Sequence, residues 1–224
     1  MISQSYRRAA AFTLIELLVV VGIIALLAGV IGMALRGGDS GTALRASQST
    51  LFSLVASARG QAILSQGTAR VLVYADPADP SKNLRYLQVA YTADAVPTAT
   101  SVWTTVGDGV TLPGGVYVVP PTGMSLTTGT ASYTHVSDLI KPAIGMIIPP
   151  STTASTDFYY IEFSQLGTPA VTSGSNYGTF VLSTAVPDPS TSQLLPQFNN
   201  PLNIRGLMLR KLGSSTLLNT ADDF

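Results

Sequence analysis

The chain has 224 residues, with 12 basic and 12 acidic side chains, one histidine and no cysteine. That balance excludes disulfide stapling and cysteine-ligated metal, leaves zinc with a single ligand, and lacks the basic surplus of a nucleic-acid-binding domain. With 46% hydrophobic and only 11% charged residues, it is long enough for one domain with a real core.

Arg7 and Arg8 precede an apolar run at residues 12–35, FTLIELLVVVGIIALLAGVIGMAL, broken only by Glu16. As a helix the run measures roughly 36 Å, enough to cross a bilayer. The arginines would hold its amino end in the cytoplasm. A secretory signal fits poorly, because the run exceeds the usual ~7–15 apolar residues and carries an acid. A twin-arginine signal fits no better, because Ala9-Ala10-Ala11-Phe12 follows the pair. A plain membrane anchor explains everything except Glu16. A carboxylate in hydrocarbon costs on the order of 2.5–3.5 kcal/mol, so its retention implies a partner. The helix also holds small residues at Gly22, Ala25, Ala28, Gly29, Gly32 and Ala34. The pairs Ala25/Gly29 and Ala28/Gly32 would allow close backbone approach in lipid. Each glycine weakens the helix by about 1 kcal/mol relative to alanine, which permits local stretching.

The stretch Ala11-Phe12-Thr13-Leu14-Ile15-Glu16-Leu17-Leu18-Val19-Val20 resembles the cleavage and methylation motif of type IV pilins and type II secretion pseudopilins. The resemblance implies a leader at residues 1–11, cut by a prepilin peptidase between Ala11 and Phe12, and N-methylation of Phe12. Ala11 stands where that family usually has glycine. Removal of the leader takes Arg7 and Arg8, leaving 10 basic and 12 acidic residues in the mature chain, a net charge of −2. Chemistry and resemblance agree. A free α-amine titrates near 7.7–8.0, and a methylated one stays basic. In lipid, such a cation and the Glu16 carboxylate are each costly alone and far cheaper together. Glu16 can meet its own terminus or that of a neighbouring protomer. The second pairing fixes an axial register in a filament.

Residues 36–41, Arg-Gly-Gly-Asp-Ser-Gly, interrupt the helical pattern, with Asp39 or Ser40 as caps for a second helix. From Thr42 to Gln66 the period returns. Leu44, Leu51, Val55, Ala58 and Ala62 share one face, while Ser47, Gln48, Arg59 and Gln66 point elsewhere. Gly67 suits the position just past the helix end. Strands are expected at Ala69–Tyr74, Leu84–Thr92, Ser101–Val106, Val116–Val119, Phe158–Phe163, Gly178–Ser183 and Ile204–Lys211. Pro120–Thr156 reads as a long surface excursion with a short element at Val136–Lys141. The fold class is therefore α+β: a long N-terminal hydrophobic helix packed on an antiparallel β-sheet or β-sandwich. Its segments are a leader (1–11), a membrane or filament-core helix (12–36), an amphipathic continuation (37–66) and a β-rich periplasmic domain (67–224).

The helix end Val55–Ile63 with Gly67, the Gly107–Gly115 corner, the Ile161–Pro169 segment and the last strand around Gly206 resemble the H-type minor pseudopilins (the GspH/FimT family). The implied function is a non-enzymatic minor pilin or pseudopilin of a type II secretion pseudopilus or type IV pilus. Its implied partners are the prepilin peptidase/methyltransferase, other pilins and, before assembly, the bacterial inner membrane. The amino end would be cytoplasmic and the domain periplasmic. No cofactor or metal is implied. Some relatives bind DNA through a basic carboxy-terminal region, which makes Arg205, Arg210 and Lys211 candidate DNA contacts, although period-2 alternation splits them between two faces. An anchored β domain unrelated to filaments remains a third alternative. His135, the sole histidine, sits in a Thr-rich stretch with no nucleophile–base set around it. Gly107-x-Gly109 lacks the lysine and helix start of a phosphate loop. Asp76, Asp79 and Asp94 could offer oxygen to calcium, but the first two sit in an Asx-Pro turn that needs no metal.

Overall fold

The computed structural model describes residues 14–24, 39–98, 100–122, 124–128, 131–135, 137–138, 141–148, 155–170, 176–190, 195–198, 200 and 202–224. Two compact units result, Met1–Asp39 and Ser40–Phe224. Within the first, residues 14–24 form helix α1. Ala11, Phe12 and the small residues from Ala25 to Ala34 lie outside the described residues, as do residues 36–38 of the glycine-rich break.

The second unit opens with helix α2, Asp39–Ser65. Twelve strands come after it: β1 (Thr68–Tyr74), β2 (Tyr86–Thr92), β3 (Thr104–Thr111), β4 (Val116–Val118), β5 (Met124–Thr128), β6 (Ala131–His135), β7 (Lys141–Met146), β8 (Thr156–Phe163), β9 (Tyr177–Pro187), β10 (Pro196–Phe198), β11 (Ile204–Arg210) and β12 (Ser215–Leu218). Every pairing among these strands is antiparallel. One sheet runs β3-β2-β1-β8-β7. A second runs β10-β9-β11-β12, with β4 also on β9, and β5-β6 is a separate hairpin.

The apolar face expected of α2 is the one that docks. Leu44, Leu51, Val55, Ala58 and Ala62 join one core with Val71 and Val73 of β1, Ile161 and Phe163 of β8, and Phe180, Leu182 and Leu207 of the second sheet. The helix thus closes both sheets at once. Two of its polar residues depart from expectation. Ser47 and Gln48 are buried, not turned to solvent. The Gln48 amide Nε2 donates to the Gly206 and Leu218 carbonyls, both at 2.8 Å, and Ser47 Oγ donates back to the Ala43 carbonyl. The helix end also differs by one residue. Gln66 takes the left-handed conformation, with φ 50°, and the Gly67 N–H reaches the Ala62 carbonyl at 3.2 Å. Gln66 is therefore the residue just past the end, in a Schellman-type closure. Gly67 is small for another reason: a Cβ there would sit 2.0 Å from the Thr92 carbonyl oxygen.

The largest correction concerns Pro120–Thr156. It contains β5, β6 and β7, and β7 pairs with β8 to extend the first sheet. Residues 136 and 139–140 of the expected short element lie outside the described residues, and Lys141 begins β7. The segment shields the sheet face turned away from α2, where Met146 and Trp103 pack on Leu72, Ala90 and Phe158. Strands β1 and β2 at the centre of that sheet are consequently buried on both faces. The Gly107–Gly109 corner is part of β3, and Leu84, read as strand, has φ 57°. Its N–H bonds the Tyr74 carbonyl and its carbonyl accepts from Val118 N–H, each at 2.8 Å, so this one residue stitches the two sheets.

Gln48→Leu removes both of these hydrogen bonds across the helix–sheet joint. It is expected to lower unfolding free energy by about 1–3 kcal/mol, read as a drop in thermal or urea midpoint of the full chain.

Candidate functional site

Helix α1 carries Leu14, Ile15, Leu17, Leu18, Val19, Val20, Val21, Ile23 and Ile24, and all are exposed, Leu14 to 81%. Apolar side chains project from every side of it. Such a helix is stable only inside a protein core, an assembly or lipid. Glu16 is its one charged residue within 14–24. Phe12 precedes Glu16 by four positions, about one helical turn. Among the described residues no helix is long and apolar enough to cross a membrane.

Residues 6–32 match the prokaryotic N-terminal methylation motif. The motif is type IV pilin-like and marks a prepilin-peptidase substrate. It suits a structural subunit that assembles with other pilins, not an enzyme. No curated protein and no solved structure matches the chain.

In the Ser40–Phe224 unit the strand directions gather the connections at two ends. At one lie the end of α2, the β2–β3 loop, the turn after β8 and the β11–β12 turn. Arg59 ties three of them together: its Nη1 donates to the Gly213 carbonyl at 2.6 Å, and Gly213 abuts Gly167. At the other lie the β1–β2 turn, the β3–β4 corner and the approach to β11. Arg210 and Lys211 belong to the first end, Lys211 in the turn and not on the strand as expected. Arg205 sits at the second, bonded through Nη1 to Asn219 Oδ1 at 2.9 Å. Five residues of strand, about 17 Å, separate Arg205 from Arg210, so the basic residues do not converge.

The acids divide unevenly. Asp76, Asp79, Asp108, Asp157, Asp188 and the Asp222-Asp223 pair lie at the second end, where Lys82, Arg85 and Arg205 are fewer. A hydrogen bond from the Ser81 hydroxyl holds the Asp79 carboxyl below its ordinary range, and the Ser190 hydroxyl does the same for Asp188. Among the described residues the acids at the first end are Asp94, which accepts from Ser101 Oγ at 2.5 Å, Asp138, which accepts from the Thr179 hydroxyl and N–H, and Glu162 near the end of β8. Asp94 is thus at the opposite end from Asp76 and Asp79. Among the described residues no three histidine, aspartate or glutamate side chains group as metal ligands. His135 ends β6, opposite Met124.

A cluster that sequence reasoning missed lies on the outer face of the first sheet. Arg70 is buried between the rings of Trp103 and Tyr160, its guanidinium carbon 4.3 and 4.2 Å from their centroids. Its Nε and Nη2 both donate to Glu162 Oε2, at 2.9 and 2.7 Å. Strand alternation could have flagged Arg70 as the one charge facing away from the core in a β-rich run, but its aromatic partners come from distant segments. The cluster holds the loop before β3 onto the sheet and presents no open site.

Arg70→Met would strip Glu162 of its cation and Trp103 of its stacking partner. The expected loss is roughly 2–4 kcal/mol, discounted because Glu162 is partly exposed. The emission of Trp103, the sole tryptophan, should shift to longer wavelength.

Proposed function

We propose that this chain is a minor pilin or pseudopilin, of the H-type (GspH/FimT) kind, made as a precursor in the bacterial inner membrane and cut after Ala11. The observation that carries the reading is an N-terminal methylation motif running into a helix that is apolar on every side and bears one acid. Processing frees the Phe12 amine. That amine, N-methylated, would pair with Glu16 of an adjacent protomer as helices leave lipid for a filament core. Only one axial stagger leaves neither charge unpaired. The apolar side chains drive association without direction, at about 1.5–3 kcal/mol per fully buried residue, and the charge pair selects the register. The β domain, on the periplasmic side, would give partner specificity in a type II secretion pseudopilus or type IV pilus. The H-type assignment rests on the helix end before Gly67, the Gly107–Gly115 segment and the Ile161–Pro169 turn, and on the packing of α2 across antiparallel sheets.

Mass spectrometry of the chain purified from its native membrane is expected to find a mature form starting at methylated Phe12. An intact Met1 start would overturn the proposal. Glu16→Val is expected to insert normally and to enter filaments at least tenfold less than wild type in sheared-fraction immunoblots. Equal incorporation would remove the register role.

A further inference from the structure

The two large sheets end on four strands, β3 and β7 in the first and β10 and β12 in the second. A strand at a sheet edge offers its outward N–H and C=O groups to any extended chain, and folded proteins commonly blunt such edges. Three of these four are blunted. Strand β3 slips register against β2 and holds Gly107 and Gly109 in the left-handed region, at φ 69° and 76°. Strand β7 slips register against β8 and contains Pro142, which has no N–H to donate. Strand β10 is three residues long and starts on Pro196. Strand β12, Ser215-Thr216-Leu217-Leu218, has no proline, glycine or charge and keeps an even register along β11.

That register says which groups of β12 point outward. The Arg210 N–H donates to the Ser214 carbonyl at 2.8 Å. By the alternation of an antiparallel ladder, Thr216 and Leu218 then turn their main chain to β11, and Ser215 and Leu217 turn theirs away from it. Among the described residues no strand pairs on that outer side. The side chains of Ser215 and Leu217 lie opposite Leu209 and Leu207, both in the core under α2, so they are on the helix side of the sheet. There a cleft of about 400 Å³ opens between Phe52, Ala56, Gly60 and Ile63 of α2 and the pair Gly213 and Ser215. Phe52, Ile63 and Leu217 are only half covered, at 41%, 47% and 45% exposed. An unpaired polar edge beside an apolar notch under a helix is a seat for one more strand.

We propose that β12 takes up an extended segment of a different subunit of the same filament as an added strand. The inference rests on the filament reading and assigns the contact by which the domain recognises its neighbour. Main-chain hydrogen bonds to Ser215 and Leu217 supply the pairing, and the notch takes alternate apolar side chains of the incoming strand. Charge narrows the partner further. Arg210 and Lys211, where the turn leads into β12, are exposed, and neither has an ion pair among the described residues. The incoming strand therefore carries an acid where it passes that turn. A second copy is the wrong occupant. With its other sheet edges blunted it could offer only its own β12, and that pair is two-fold and closed. The stagger that sets one protomer's Phe12 amine on the next one's Glu16 runs one way and does not close.

The chain has no cysteine, so Leu217→Cys in the full-length chain can carry a benzophenone–maleimide probe at that single position in intact cells. Irradiation is expected to give an adduct with another subunit whose own mature terminus is methylated, identified by mass spectrometry. Ser215→Pro removes an outward N–H and leaves the pairing with β11 in place. It should lower that adduct at least tenfold while Trp103 emission and the urea midpoint stay at their parent values, and Ser215→Ala should not lower it. Should Ser215→Pro fail to fold, Arg210→Glu with Lys211→Glu must give the same loss. An adduct that survives these changes in folded chains would overturn the proposal. So would an adduct with lipid alone, with a second copy of this chain alone, with a protein lacking a methylated terminus, or no adduct in folded chains. A chain that starts at methylated Phe12 yet gives no such adduct sinks this inference alone. A chain that keeps its leader sinks the filament reading, whatever the crosslinks show.

Discussion

The domain depends on one helix satisfying two sheets at once. The inner faces of β1 and β8 and of β9 and β11 take their apolar cover from α2, which lays Leu44, Leu51, Val55, Ala58 and Ala62 across both. A helix stripe alone is slippery, because aliphatic burial has no direction. Gln48 removes that freedom. Its amide group reaches the Gly206 and Leu218 carbonyls at 2.8 Å, and a shift of α2 by one turn would break both bonds. Arg59 repeats the device nearer the helix end, on Gly213. Packing supplies the energy of this joint, and two polar side chains supply its register.

The first sheet carries a second constraint. An antiparallel sheet can leave one face to water, yet at β1 and β2 both are covered. The cost of burying the outer face falls on Arg70, whose guanidinium cannot lose its charge. Glu162 meets it edge-on and the rings of Trp103 and Tyr160 meet it from above and below. Four side chains from three segments are thereby fixed relative to one another. At the cluster the outer face is therefore closed by the chain itself.

How much of this is legible in the sequence depends on the range of the interactions. The periodicity of α2, the runs of β1, β2, β8, β9 and β11, and the amino-terminal motif are local signals, and each reads near its observed place. The boundaries missed are those set by tertiary contacts. Gln66 takes the left-handed position, and Gly67 is kept small by its approach to Thr92. Strands β5, β6, β7, β10 and β12 are short, and rich in Thr, Ser, Pro or Gly where turns are expected; they exist because a neighbouring strand offers hydrogen bonds. Gln48 reads only as lying off the apolar stripe, because its partners lie more than 150 residues away.

The contrast between the two units explains why a filament subunit would need both. Helix α1 shows aliphatic side chains around its whole circumference, so by itself it would associate with any apolar neighbour, in any rotation and either polarity. Charge placement restricts that choice. A pair formed between Glu16 and a processed terminus constrains translation along the axis and says little about rotation, because both groups lie near one point of a narrow rod. Rotation is left to contacts made away from that point, and the folded Ser40–Phe224 unit is the part of the chain that can make them. On this argument the apolar helix sets whether subunits gather, the charge pair sets how far each is staggered, and the folded domain sets which way each one faces.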